Sequence, residues 1–334
     1  EITSKSITRD ESADALELML KEQASPAQIG AFMIAHRIRR PEPEELAGML
    51  DTYLKLGPSI QSENTKRPIC FGMPFDGRNR IAPVYPLTIL ILLSQGQPVV
   101  IHGGRRMPTK YGVTPSELFK AIGLDLTGIS LKTVQKGFEE HGFALIHQPD
   151  HFPLAESLIQ YREDLGKRPP IASMELIWTA HKGEHLLISG FVHEPTEERA
   201  LKTLNILGEK SIIFVKGIEG SIDLPLNRKC SIGQIENEKL IRSYINSSEH
   251  NLRGKEVKWS TQEEWQNNLN KVLSNEESCL NQSAIWNAGV YLYLSGVTLS
   301  IDTGLNLAKE AIASGIIKDK LDTLIAWRQS INHH

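Results

Sequence analysis

The sequence predicts an α/β fold in which a helical N-terminal domain packs on a mostly parallel α/β domain. Three observations carry this. The first stretch of roughly 60 residues holds three helical patterns, the first two opened by capping signals, and no strand signal. From Pro68 onward, short apolar runs (ICF, VVI, FALI, LLISGFV, SIIFVKG) alternate with helical patterns, the arrangement of right-handed βαβ units. Two glycine- and arginine-bearing loops each follow such a run, and open parallel sheets bind ligands at the carboxyl ends of their strands.

In order along the chain, Thr8 and Glu11 form a capping box ahead of apolar Leu16, Met19 and Leu20, so a first helix runs to about Lys21. Ser25, Pro26 and Gln28 repeat the signal. The helix they open is apolar around much of its circumference, which suits burial in the domain or at a dimer interface. Pro41 stops it, and residues 44–55 give a third helix. Helical patterns at residues 116–122, 131–141, 154–165 and 197–207 separate the later strands. Residues 228–259 are polar and weakly periodic and are expected to be irregular. Thr261 with Glu264 opens a further helix, and the chain is expected to end in two helices, 279–295 and 300–314, the second closed by Gly315. The expected division is a helical domain at 1–65, joined by helices near 154–182, and an α/β phosphate-binding domain at 66–334.

A chain of 334 residues can bury a sizeable core. Its formal net charge of -3 argues against a general polyanion binder, so any nucleic-acid role needs a local basic groove. Cys70, Cys230 and Cys279 are far apart and form no CxxC pair, which suits a reducing compartment and argues against a structural zinc site. The longest apolar run, residues 86–93, is too short to span a bilayer, and no leader pattern opens the chain. A cytoplasmic protein is expected.

The loops at 72–80 and 102–112 carry Arg78, Arg80, Arg105, Arg106 and Lys110, with Gly72, Gly77, Gly103, Gly104 and Gly112. Cations among flexible backbone amides point to an anion, and phosphate is the commonest. The plainer alternative is a solvated rim whose cations pair with Asp or Glu. His102 reads as a hydrogen-bonded structural residue more readily than as a catalyst. Asp76 reads as a turn-ordering residue of the first loop.

Two long stretches, residues 7–50 and 286–321, resemble the helical N-terminal domain and the C-terminal helices of anthranilate phosphoribosyltransferases. The resemblance implies their fold, a homodimer through the N-terminal helices, and transfer of phosphoribose from a magnesium-bound pyrophosphate donor. It also isolates departures. Gly72, Met73, Pro74, Phe75, Asp76 and Gly77 stand where the family reads GTGGDG, and Ala82, Pro83, Val84 and Tyr85 stand at its NxST element. Pro74 removes an amide donor, and Phe75 adds bulk where backbone must approach a diphosphate. The second loop is kept better, because Ile101 to Arg105 is similar to KHGNR, and Lys110 and Gly112 match the later Lys and Gly. The family's acidic magnesium pair aligns with Ile222 and Asp223, leaving Asp223 with nearby Glu219 as the metal candidates, although Asp223 reads equally well as a turn residue. Its anthranilate-binding Arg matches Arg168, which could instead be an ion pair at a helix end.

The expected function is therefore a divergent protein of this family that binds phosphate-bearing ligands, a phosphorylated small molecule or nucleic acid, in an arginine-lined cleft. No residue is singled out as catalytic, and the parent reaction is weakened or lost. The alternative is an active phosphoribosyl transferase using Arg105 and Lys110 for donor phosphates, and magnesium is implied only there.

Overall fold

The computed structural model describes residues 6–61, 66–236 and 239–331. Three helices open it: α1 (Arg9–Leu20), α2 (Pro26–Arg39) and α3 (Pro43–Leu56). The first two start at the expected capping boxes. Thr8 exchanges bonds with Glu11 at 2.8 and 3.2 Å, and Ser25 does so with Gln28 at 2.8 and 3.4 Å.

Among the described residues, nine strands follow in chain order: β1 (Ile60–Gln61), β2 (Ile69–Gly72), β3 (Val99–Gly103), β4 (Phe143–His147), β5 (His181–Lys182), β6 (Leu186–Gly190), β7 (Ile212–Val215), β8 (Cys230–Glu236) and β9 (Lys239–Ile245). Seven form one sheet in the order β4-β3-β2-β6-β7-β8-β9. The first five are parallel, and β8 and β9 close the edge as an antiparallel pair. β2 lies centrally, with Phe71 opposite Ile101 on one side and Ile188 on the other. The five parallel strands are mostly apolar because both faces of the sheet are covered. Phe71, Ile101, Leu145 and Ile188 pack with the buried helices Tyr85–Ser94 and Asn281–Leu294. On the other face, Cys70, Val100, Ala144 and Leu187 share a core with Leu16, Met33 and Tyr53 of α1 to α3.

Three expectations change. Residues 228–259 are not irregular: they contain the β8–β9 hairpin, whose outer strand leaves Arg242, Ser243 and Tyr244 exposed, so no apolar alternation marks it. The helical pattern at 154–165 is two short helices, Pro153–Ser157 and Ile159–Leu165. A third terminal helix, Ile316–Ile331, follows Gly315, whose φ of +78° lets the chain turn into it. Among the described residues, no helix is long and apolar enough to cross a membrane.

Candidate functional site

The loop after β2 is packed inward. A Cβ on Gly72 would sit 1.9 Å from the carbonyl oxygen of Leu176, and Gly77 adopts φ +68° against Val113 and Gly112, so both positions require glycine. Met73 and Phe75 are 3% and 2% exposed. Phe75 stacks on His102 with ring centroids 4.8 Å apart, and Trp178 closes the other side at 5.2 Å. His102 Nε2 lies 3.2 Å from the amide of Met73 and 3.0 Å from its carbonyl. Burial lowers the imidazole to about 4, so it is neutral at neutral pH and orders the loop. Gly103 and Gly104 are less tightly placed, since a Cβ there would sit 3.0 Å from the Pro115 ring and 3.2 Å from the end of Met107.

A cleft of about 350 Å³ opens beside this loop, with Asp76, Arg80, Lys110, Arg168, Phe191 and Glu219 in its walls. Arg168 donates through Nε and Nη2 to Asp76 Oδ2, at 2.9 and 2.6 Å, so Asp76 anchors an arginine and does not only order a turn. Lys110 Nζ donates to the carbonyls of Glu219 (3.2 Å) and Gly77 (3.4 Å), and burial lowers its pKa. The side chain of Arg80 is 74% exposed, with Nε 3.5 Å from Glu219 Oε2. Arg105 and Arg106, expected in the site, are not among the residues in the cleft's walls; they are exposed and pair with Glu156 (2.5 Å) and Glu117 (2.7 Å).

Arg78 points away from the cleft, 2% exposed. Its Nη1 is paired with Asp223 and its Nε lies 3.8 Å from Glu219 Oε1. Asp223 is fully buried, and Oδ2 also accepts from the amide of Val84 at 2.8 Å. Glu219 accepts from the amides of Arg80 and Ile81 through Oε1, from a backbone at φ +56° that a side-chain-bearing residue rarely adopts. Asp223 Oδ1 and Glu219 Oε2 make no hydrogen bond among the described residues, yet the guanidinium already bridges the two carboxylates. These residues therefore do not fit the magnesium that the resemblance implies: their counter-ion is built in.

Sequence reasoning missed one pair whose Glu175 is among the cleft's walls. Arg162 Nη1 donates to Glu175 Oε1 at 2.5 Å and Nε donates to the Pro108 carbonyl at 2.7 Å, both side chains being buried. It also missed the wall formed by Phe191, His193 and Thr196, where β6 passes into the helix Glu194–Ile206. The end of the LLISGFV run was the available signal, since strand-to-helix loops face the ligand end of a parallel sheet.

Comparison with known proteins agrees with this architecture. The family profile described as "Glycosyl transferase family, helical bundle domain" matches residues 2–57, and "Glycosyl transferase family, a/b domain" matches residues 87–317. An anthranilate phosphoribosyltransferase of Verminephrobacter eiseniae is 23% identical over 329 residues, covering 97% of this chain and 95% of that protein. The anthranilate phosphoribosyltransferase structure from Thermus thermophilus superposes with a TM-score of 0.83 at 21% identity, over 98% of both chains. The Saccharomyces cerevisiae enzyme in complex with PRPP and Mg gives 0.82 at 18% identity, over 97% of this chain and 94% of that one. With its α/β domain profile alone matching well over half of the chain, this protein belongs to the glycosyl transferase family that joins a helical bundle domain to an α/β domain, the family of the anthranilate phosphoribosyltransferases.

Proposed function

We propose that this protein binds phosphate-bearing ligands in the cleft beside the β2 loop, with the parental phosphoribosyl transfer weakened or lost. One observation carries the reading: Arg78 bridges Asp223 and Glu219, where transfer would need an exchangeable metal, while Arg80 and Lys110 face the cleft with donors left for an anion. Met73 and Phe75 support it by filling the loop that would wrap a diphosphate. Arg168 adds a third cation once its bond to Asp76 is shared with a ligand. The ligand is a phosphorylated small molecule or, through several phosphates, a nucleic-acid strand. The half-buried Phe32 and Ile34 with the exposed Ile38 make α2 the natural face for a homodimer, and the setting is cytoplasmic.

Calorimetry with inorganic pyrophosphate and with phosphoribosyl pyrophosphate, each with and without magnesium, tests this. Binding that is magnesium-independent, weakens as salt rises, and drops by roughly 10-fold or more in Arg80→Ala and Lys110→Ala is expected. Absence of heat in every condition would remove the site, and an oligonucleotide titration across the same salt series separates polymer from small molecule. The second reading, an active transferase, draws on near full-length correspondence with the enzymes and on the better-kept β3 loop. Magnesium-dependent loss of anthranilate fluorescence in the presence of the donor would establish it in place of the first.

A further inference from the structure

The two passages between the helical unit and the sheet run side by side, because β1 on the first pairs with β5 on the second. Beside them, Cys70 of β2, His181 of β5 and His185 converge, with one ligand atom from each lying within 4.8 Å of the others. Cys70 is 1% and His181 is 5% exposed, and neither ring nitrogen of His181 has a hydrogen-bond partner among the described residues. An imidazole buried with both nitrogens unsatisfied is costly unless something else uses a lone pair. The turn between the histidines is short: Gly183 at φ +100° folds HKGEH back, so that the two rings meet edge to face at 5.6 Å. His185 Nδ1 lies 2.9 Å from the carbonyl of Gly183, which accepts its proton and leaves the lone pair on Nε2. That is how backbone carbonyls orient metal-binding histidines.

We propose that Cys70, His181 and His185 form a Zn²⁺ site that ties the second passage to the central strand. A thiolate with two imidazoles selects a borderline-soft transition cation over magnesium or calcium, and His-x3-His is a spacing zinc sites use. Ligand atoms around tetrahedral zinc are about 3.3–3.7 Å apart, as follows from bond lengths near 2.0–2.3 Å, so the three side chains close by about 1 Å on binding. Zn²⁺ displaces the Cys70 thiol proton, which leaves to the buffer. Glu209 supplies the remaining charge. Its Oε1 is held by the amides of Lys210 (3.1 Å) and Ser211 (3.4 Å), while Oε2 lies 3.3 Å from His185 Nε2. With Nδ1–H of His185 committed to Gly183 and its Nε2 to the metal, Glu209 Oε2 serves as the fourth ligand. None of these residues lines the cleft, so the site stands or falls independently of the proposed anion binding.

The test uses the full-length chain, stripped with a chelator and then given Co²⁺ or Zn²⁺. Expected are a thiolate-to-cobalt charge-transfer band with tetrahedral visible bands, about one zinc per chain after gel filtration, and a melting temperature raised by Zn²⁺ but not by Mg²⁺. The band disappears in Cys70→Ala and persists in Cys279→Ser, which removes an exposed thiol. Glu209→Gln weakens zinc binding roughly 10- to 100-fold. A wild-type protein with neither band nor thermal shift overturns the proposal without any variant. A band that survives Cys70→Ala and vanishes with Cys279→Ser also overturns it, as adventitious surface binding.

Discussion

His102 shows how burial alone changes a side chain's chemistry. Enclosed by Phe75 and Trp178, its ring is lowered to about 4, whereas the unfolded chain titrates near the ordinary value of about 6.5. Below that value the unfolded state takes up a proton that the folded state refuses, so stability falls with pH from about 6.5 down to about 4, by about 3 kcal/mol in all. Gln in place of His102 retains a donor for the Met73 carbonyl but does not titrate. Urea unfolding at pH 7 and pH 4.5 is therefore expected to find the wild-type advantage over His102→Gln shrinking by about 2–3 kcal/mol at the lower pH, and a constant difference would refute the assignment. His102, placed by the sequence in the anion-binding loop, is buried here and held to the backbone of Met73. Arg78 is different: it and Arg80 are indistinguishable in a loop of glycines and arginines, yet one is buried and the other 74% exposed. What separates them is Asp223, 145 residues away, whose buried carboxylate requires a counter-ion and recruits the nearer guanidinium. No local pattern encodes that choice.

Helices with a complete local code are legible and the outer hairpin is not, for a physical reason. α1 and α2 announce themselves through Thr8 with Glu11 and Ser25 with Gln28, bonds made within three residues. β9 is an edge strand with Ile241 47% and Tyr244 64% exposed, so its pattern lacks the contrast of buried and solvated faces. Its place depends on a distant partner: Arg242 donates to Glu197 Oε2 at 3.1 and 2.6 Å, and Glu197, on the helix Glu194–Ile206, is fully buried. Removing Arg242 leaves that carboxylate inside the protein without its cation. Arg242→Ala is expected to cost about 2 kcal/mol at pH 7, below the usual 3–5 for a fully buried pair because the guanidinium is partly solvated. Burial raises the pKa of Glu197, so the folded state binds its proton more tightly than the unfolded one and stability returns as pH falls through that raised value. Thermal melts should show the mutational cost shrinking from pH 7 to pH 5, and an equal cost at both would sink the explanation.

At the scale of the whole molecule, the change of pattern at Pro68 marks where the main sheet begins, with β1 already before it, but it does not mark the edge of a core. Leu16, Leu20, Met33 and Tyr53 share one apolar cluster with Phe152, Leu158, Ile159 and Trp178, and with Val100 and Leu187 on the sheet. Tyr53 meets Phe152 at 4.9 Å and Trp178 at 5.9 Å, both edge to face. The helical unit is thus completed by chain that returns about 100 residues later, after β2, β3 and β4 have been laid down. Sequence shows the first three helices clearly and points to helices near 154–182 as their companions; what it does not show is that 154–165 breaks into the short helices Pro153–Ser157 and Ile159–Leu165, each with too few turns to carry a periodicity of its own. A fragment of residues 1–65 keeps the capping boxes and loses most of its burial, and short helices without tertiary packing are marginal in water. It is expected to show weak helical circular dichroism and no cooperative melt, while the full chain melts with those helices intact. Cooperative two-state unfolding of the fragment would mean that α1 to α3 form a self-sufficient core, and the shared cluster would then join two independent units.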